Sequence, residues 1–244
     1  MGITIPLPSM TMKPNATGHP YPIQIGLQTE EFLQATVFYV IFADMAAGQR
    51  VRQTGAIQEI ERELLASGID LKAMNDAWTF LTRYKALFSE FAVQNAPIAM
   101  RNHWDWYIRR LGRFVEFGRT KCKGLPFSKY IEKQLPLVGK KEMPLATQLD
   151  ILRQATGLPL NIDNKFMEAA QEMSLIRNLG LHNRWEVDEV YLKNSPQPGN
   201  WAVGEIRLVH ATELASWRTA LSQLLLGTWT PIAQLFVKAP NYPV

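Results

Sequence analysis

One short segment of the sequence carries residue types that suit acid–base chemistry at a phosphate. Positions 173–183 read MSLIRNLGLHN. If this segment is helical, Asn178 and His182 lie one turn apart on one face, and the long side chain of Arg177 reaches the groove beside His182. Histidine exchanges protons near neutral pH, whereas arginine stays charged and grips phosphate oxygens through paired hydrogen bonds. Both groups would serve the cleavage of a phosphodiester that has a hydroxyl beside it as nucleophile, and RNA with its 2′-hydroxyl is one such substrate.

The three residues that follow the histidine are candidate substrate contacts. Asn183 either bonds to the ribose or caps the end of the helix. Arg184 and Trp185 come next, and Trp185 offers a ring on which a base could stack. We therefore predict a substrate-binding group of Asn183, Arg184 and Trp185 beside the candidate catalytic residues Arg177, His182 and Asn178.

A purely structural role for the same residues has to be weighed against catalysis. A histidine near a helix C-terminus is favourable with the helix dipole wherever it occurs. Arg177 has Glu172 and Glu186 within reach as carboxylate partners. For an isolated arginine and histidine this structural role is the commoner one.

The whole segment resembles the signature of the HEPN superfamily, which is an arginine, a polar residue, a short spacer and a histidine. The matching positions here are Arg177, Asn178, the spacer 179–181 and His182. Segments 187–192 and 203–208, which precede a terminal helix, also look like the downstream layout of several HEPN groups. By motif and pattern the resemblance covers residues 145–237, and the helices upstream, over 32–118, would complete the bundle.

The resemblance implies a fold, an activity and partners. The fold is an all-α, up-and-down helical bundle with a short extended or hairpin insertion before the last helix. The activity is endoribonuclease cleavage without metal or other cofactor, of the toxin or anti-phage defence type, at a cleft shared by a homodimer. The expected partners are RNA, a second copy of the chain, and an antitoxin or regulatory protein. The alternative is a non-catalytic HEPN module that binds RNA, a nucleotide or a partner protein.

Helical periodicity and punctuating residues predict the elements that would position the motif. Residues 1–26 contain repeated prolines and are expected to form an extended arm, and residues 27–240 the helical domain. Thr29 is the expected cap of the first helix, with a break near Gly55, and Asp70 opens the next. A further helix is expected to begin near Pro97 and to run to Gly118.

In the second half, residues 124–144 mix proline, glycine and lysine, which predicts short helical turns and a sub-boundary of the domain. Beyond them, helices are expected over 145–155, stopped by Gly157, and from Phe166 to Leu181, capped by Asp163 or Asn164. Alternation over 201–209 favours an extended segment or hairpin, and the last helix covers 211–237.

Composition limits the class of protein. Hydrophobic residues make up 47% and charged residues 20%, which is enough apolar material for a sizeable core. A single cysteine rules out an intramolecular disulfide and favours a reduced, cytoplasmic setting. The most apolar stretch, 32–47, is too short and too interrupted for a bilayer span, so no membrane is expected.

Other candidate sites in the sequence are weaker. His19, His103 and His210 have no cysteine or acidic partners at metal-ligand spacing, so no metal site is expected. The net charge of +4 decides little by itself. Seven basic residues lie over 101–123 beside aromatics; a phosphate-binding face is one interpretation and a solvated helix face the favoured one. Trp78, Trp104, Trp217 and Trp229 are expected in the core.

Overall fold

The computed structural model describes residues 20–47, 62, 66, 68, 85–122, 124, 127–140 and 143–236. Within these ranges the chain forms seven α-helices and no β-strand, which confirms the all-α prediction. The helices are α1 Tyr21–Ala47, α2 Lys85–Phe117, α3 Lys129–Gln134, α4 Leu145–Thr156, α5 Asn164–His182, α6 Glu189–Asn194 and α7 Ala211–Leu235. None of the helices in the described ranges is long and apolar enough to cross a membrane.

The core lies between the four long helices. Helix α1 packs along α2 and α7, and α5 packs against α2 and α7 from the C-terminal half of the chain. Trp104, Tyr107 and Leu111 of α2 are fully buried, and Trp217 and Trp229 of α7 are nearly so. Three of the four tryptophans that helical spacing assigned to the core are therefore in it, while Trp78 lies outside the described residues.

Helix α1 begins earlier than the sequence predicted. Its first residue is Tyr21, so the last six residues assigned to the extended arm are helical, and residues 1–19 lie outside the described part. Thr29 does not cap a helix but is buried within α1, where its hydroxyl donates to the Ile25 carbonyl at 2.7 Å. The prediction of an arm up to residue 26 was wrong because Pro22 was taken as a sign of extended chain. Proline is also tolerated in the first turn of a helix, and Pro22 lies there.

Helix α2 passes through Pro97, which the sequence had marked as a helix start. The ring removes one backbone hydrogen bond, at a typical cost of about 3 kcal/mol in a helix interior. Ala92, Ala96 and Met100 are nevertheless all buried on the core side of α2. Their tertiary contacts therefore stabilise a continuous helix despite the proline.

Two further predictions cannot be compared with the structure. The expected break near Gly55 and most of the helix predicted from Asp70 lie outside the described residues.

Segment 127–140 forms short turns, as expected, and it packs onto the main core. Ile131, Leu135 and Val138 belong to the same hydrophobic cluster as α2 and α7. At Gly139 the backbone has φ of 74°, and an added Cβ would lie 2.4 Å from the Asp105 carbonyl oxygen of α2. The part of the expected sub-boundary that the structure describes therefore shares its core with the long helices.

Helices α4, α5 and α7 begin and end near the predicted positions. Gly157, with φ of 72°, ends α4, and the Asp163 side chain caps α5 by accepting from the Lys165 backbone N–H. The extended segment before α7 is present, but it does not pair with itself. Its Ile206 forms one antiparallel bridge with Glu186, just after the motif helix.

Gly139 and Gly157, two of the glycines with a left-handed backbone, give a matched pair for a stability test. We expect Gly157→Ala to lower the free energy of unfolding by about 1–2 kcal/mol, because only the backbone conformation is penalised. Within the described part of the chain, the new Cβ would have no neighbour within 4 Å. Gly139→Ala adds a clash with the α2 backbone, so its cost should reach about 3 kcal/mol or more. Urea denaturation followed by circular dichroism measures both, and equal costs would contradict the close approach at Gly139.

Candidate functional site

Helix α5 positions the motif. It starts at an aspartate cap and continues without a break through His182, and Asn183 is its C-terminal cap. Because the helix is regular, Asn178 and His182 stay one turn apart, as the sequence predicted. Arg177 and His182 are separated by five residues, which is about 140° around the helix axis.

Arg177 lines a cleft of about 330 Å³ between α2, α4 and α5. Its side chain is largely buried, with 9% of the residue exposed. One terminal nitrogen, Nη1, donates to Asn178 Oδ1 at 2.9 Å. The structure therefore brings two of the three predicted catalytic residues together at one concave surface.

His182 lies apart from that cleft. It is exposed in the last turn of α5, and within the described residues it does not line the cleft that contains Arg177. In a single chain the guanidinium and the imidazole therefore do not face one enclosed space. The predicted trio of Arg177, Asn178 and His182 is only partly assembled in one protomer.

Arg101 of α2 also lines the cleft, and three groups hold its side chain. Its Nη1 donates to Ser174 Oγ at 2.8 Å, its Nη2 to the Met143 carbonyl at 2.7 Å, and its Nε to Asp105 at 3.1 Å. The same Asp105 oxygen accepts from Gln148 at 2.9 Å. This network joins α2, α4 and α5 and neutralises the charge of Arg101.

The basic run over 101–123 therefore has mixed roles. Arg109 donates to the Gly139 carbonyl at 2.7 Å, and the guanidinium of Arg110 lies 4.7 Å from the Trp106 ring centre. Arg113 and Lys121 are exposed, as the solvated-face interpretation expected. Arg101, by contrast, belongs to the interior, and sequence spacing did not indicate this.

Sequence reasoning also missed the polar side of α5. Gln171 and Ser174 line the cleft together with Asn178. These three positions are separated by three and four residues, which places them on one helix face. The spacing of these three polar residues was the indication that the sequence offered for this side of the cleft.

Asn183 adopts the capping role, one of the two that were predicted. Its side-chain amide donates to the Asp188 carboxylate. The other Asp188 oxygen accepts the Tyr191 backbone N–H at 2.7 Å and thereby caps α6. Asn183 thus ties the end of the motif helix to the start of the next one.

Arg184 and Trp185 turn the chain back after the motif. Both have a left-handed backbone, with φ of 52° and 69°. The Trp185 ring lies against α5, so closely that a Cβ added at Gly180 would be 2.4 Å from it. Trp185 is therefore a packing residue on this side of its ring, and Gly180 in the motif spacer leaves the room that the ring needs. Arg184 is exposed.

Glu172 was one of the two carboxylates considered as a partner for Arg177. Its carboxylate accepts hydrogen bonds from two uncharged side chains. Tyr191 Oη and Ser195 Oγ donate to its two carboxylate oxygens, each at 2.5 Å. Burial raises the pKa of Tyr191, and the bond to the Glu172 carboxylate raises it further. Glu172 thus anchors α6 and the turn after it to the motif helix, while Glu186 is exposed.

The other described histidines show no metal-binding arrangement. His103 stacks on Phe32 with ring centres 5.0 Å apart, and burial lowers its pKa. His210 precedes α7, and its backbone N–H donates to Glu213 at 2.8 Å. In the described ranges no three His, Cys, Asp or Glu side chains come together as metal ligands.

Comparison with known proteins found no match. No family model matches the chain, and neither a curated protein nor a solved structure matches it. The HEPN resemblance of residues 173–183 and of the segments after them therefore stays a prediction from the sequence.

The contact between Gly180 and Trp185 can be tested by a substitution in each partner. Gly180→Ala should lower the free energy of unfolding by about 1–2 kcal/mol, because the clash with the ring outweighs the better helix propensity of alanine. In a Trp185→Ala background the same change should become neutral or stabilising. Urea denaturation of the four proteins of this cycle measures the coupling.

Gly112→Ala is the matched control. Gly112 lies inside α2, and an added Cβ would meet its nearest neighbours at 3.6 Å, an ordinary contact. This change should be neutral or stabilising by about 0.5–1 kcal/mol. A destabilising Gly180→Ala that persists without the Trp185 ring would contradict the proposed packing.

Proposed function

We propose that this protein is a metal-independent endoribonuclease of the HEPN type, acting in toxin or anti-phage defence. The observation that carries the proposal is the arrangement of α5. This helix presents Arg177, bonded to Asn178, inside a cleft, and it presents His182 exposed in its last turn. A fixed cation and an accessible imidazole on one helix are the two groups that RNA cleavage needs.

Arg177 is proposed to hold the scissile phosphate. Its burial and the bond to Asn178 restrict the guanidinium, so less conformational freedom is lost when it binds an anion. An arginine donates two parallel hydrogen bonds to phosphate oxygens and stabilises the charge that develops on them in the transition state. Lysine offers only a point charge and should replace it poorly.

His182 is proposed to transfer the protons. The 2′-hydroxyl loses its proton to a base as its oxygen attacks phosphorus. The bond from phosphorus to the 5′-oxygen then breaks, and that oxygen takes up a proton. The products are a 2′,3′-cyclic phosphate and a 5′-hydroxyl, and an imidazole suits either proton transfer at neutral pH.

A homodimer would complete the site. Because His182 does not line the Arg177 cleft of its own chain within the described residues, a second copy is the simplest way to bring two sets of the motif around one substrate. The last turn of the motif helix and the segments after it carry exposed apolar side chains for such an interface. The exposed ones are Leu181, Val190, Val203, Ile206 and Leu208.

The proposed activity also implies a cellular setting. RNA as substrate, and a single cysteine in the chain, fit a cytoplasmic enzyme. An enzyme that cuts cellular RNA has to be restrained, so an antitoxin or regulatory protein is the proposed further partner.

A non-catalytic module that binds RNA, a nucleotide or a partner protein is the second candidate. The separation of His182 from the cleft favours it, since binding requires the cleft alone. The two functions differ in one outcome. A binding module retains RNA without producing fragments, and it does so with or without His182.

Cleavage of RNA in excess EDTA tests the main proposal. Wild type should yield fragments with 2′,3′-cyclic phosphate ends. His182→Ala should reduce the rate at least about 100-fold, the usual contribution of a proton-transfer residue. Arg177→Lys should reduce it at least about tenfold, through loss of the paired hydrogen bonds. Gel analysis of fragments and of their 3′ ends measures both.

Two substitutions serve as controls for these variants. His210→Asn replaces another exposed histidine and keeps a good residue at a helix start, and Arg113→Lys makes the same chemical change at an exposed site on α2. Both should cleave like wild type. Undiminished cleavage by a folded His182→Ala protein would refute the assignment of the site.

Dimerisation is tested separately by light scattering. We expect a mass of two chains at micromolar concentration for wild type. Leu181→Asp, which places a charge in the exposed apolar surface beside His182, should shift the protein towards one chain and reduce cleavage in parallel. A wild-type protein that cleaves RNA as a monomer would contradict the shared site.

A further inference from the structure

The Arg177 cleft has the dimensions and lining of a small-ligand site. Its volume of about 330 Å³ lies at the lower end of the range for ligand pockets. The apolar part of the lining, here called the apolar wall, includes Met143, Pro144, Leu145 and Leu175. A planar, partly apolar group of the size of one nucleobase fits such a space, whereas a base-paired duplex is far too wide for it.

Three carboxamide side chains line the same cleft, and the donor and acceptor atoms of each are fixed by neighbours. Gln171 Nε2 donates to the backbone carbonyl of Asn194 at 3.0 Å, and Asn194 Nδ2 donates to the backbone carbonyl of Val190 at 2.7 Å. Asn178 Oδ1 accepts from Arg177. Because carbonyls only accept and a guanidinium only donates, these bonds settle which end of each amide is oxygen.

The other polar atom of each carboxamide is the one that a ligand in the cleft could use. Within the described residues, these atoms are the acceptors Gln171 Oε1 and Asn194 Oδ1 and the donor Asn178 Nδ2. Two acceptors favour a base with an exocyclic amino group. Adenine, cytosine and guanine each carry such a group, whereas both exocyclic atoms of uracil are carbonyl oxygens.

We propose that the Arg177 cleft binds one unpaired, amino-bearing RNA base next to the phosphate that Arg177 holds. This inference rests on the proposed function for the position of the cut, but the binding itself requires no catalysis. The base lies against the apolar wall, with its amino group towards Gln171 and Asn194. The first turn of α4, which supplies Leu145 and Ala146 to the cleft, adds the positive end of a helix dipole for the phosphate.

A base can reach this position only from single-stranded RNA. In an A-form duplex the base edges are paired and stacked, so sequence is read in loops, bulges and ends, where bases can turn outwards. The substrate class is therefore unpaired RNA. Cleavage should occur beside adenosine, cytidine or guanosine in preference to uridine.

Binding of single nucleotides tests the cleft without any cleavage step. We would titrate 3′-CMP and 3′-UMP into the full-length protein in EDTA and follow the heat of binding. These two ligands share ring size and phosphate and differ at the amino group and the adjacent ring nitrogen. We expect 3′-CMP to bind about tenfold more tightly, as one or two added hydrogen bonds would give.

Two substitutions at Gln171, an exposed position, locate the binding. Gln171→Ala removes an acceptor and should bring the ratio of the two affinities close to one with little change for 3′-UMP. Gln171→Trp fills the cleft and should weaken both ligands at least about tenfold. Gln223→Trp is the matched control, since it makes the same change at an exposed glutamine of α7, and it should bind both nucleotides like wild type.

The outcomes separate this inference from the nuclease proposal. No binding of 3′-CMP at millimolar concentration, or equal binding of both nucleotides that Gln171→Trp does not weaken, overturns the base site even if the protein cleaves RNA. Selective binding that Gln171→Trp abolishes and His182→Ala leaves intact supports the base site even if no RNA is cut. In that last case the nuclease proposal fails and the cleft remains a nucleotide-binding site.

Discussion

The charge of Arg101 is the feature on which the arrangement of the site depends. A guanidinium with only 6% of its residue exposed is tolerable only if its hydrogen-bonding groups find partners. Here a hydroxyl on α5, a carbonyl just before α4 and a carboxylate on α2 itself supply them. One side chain therefore joins three of the elements that line the cleft. Removing one partner of such a buried charge typically costs about 3–5 kcal/mol, so the cleft walls cannot move apart cheaply.

The same network explains why part of the site is rigid and part of it is open. Ser174, one turn before Asn178, is fixed between Arg101 and the Ala170 carbonyl. Arg177 is largely buried beside this network, so its position follows from the packing of the helices. His182 lies beyond the network at the exposed end of α5. The helix thus holds the largely buried guanidinium of Arg177 in the packed part of the molecule and leaves the side chain of His182 open to solvent.

The helices were largely predictable from the sequence, because the apolar period and the caps are local properties. The aspartate before α5 and the glycine after α4 have their effect within one turn, and both were identified. The start of α1 and the passage of α2 through Pro97 were not, since burial against other helices decided them. Tertiary packing routinely outweighs local preference in this way.

The candidate site was predictable only along α5. Arg177, Asn178 and His182 are close in sequence, so a single helix fixes their relation. The cleft needs Arg101 and Met143 as well, which are distant in sequence, and no local pattern links them to the motif. The role of Gly180 also depends on the ring of Trp185, which is five residues away and follows a left-handed turn.

The contact between Gly180 and Trp185 limits which substitutions related sequences can accept. An alanine at position 180 becomes acceptable only after position 185 has lost its large ring. The two positions should therefore change together over evolution, and the spacer of the motif is less free to vary than its lack of chemistry suggests.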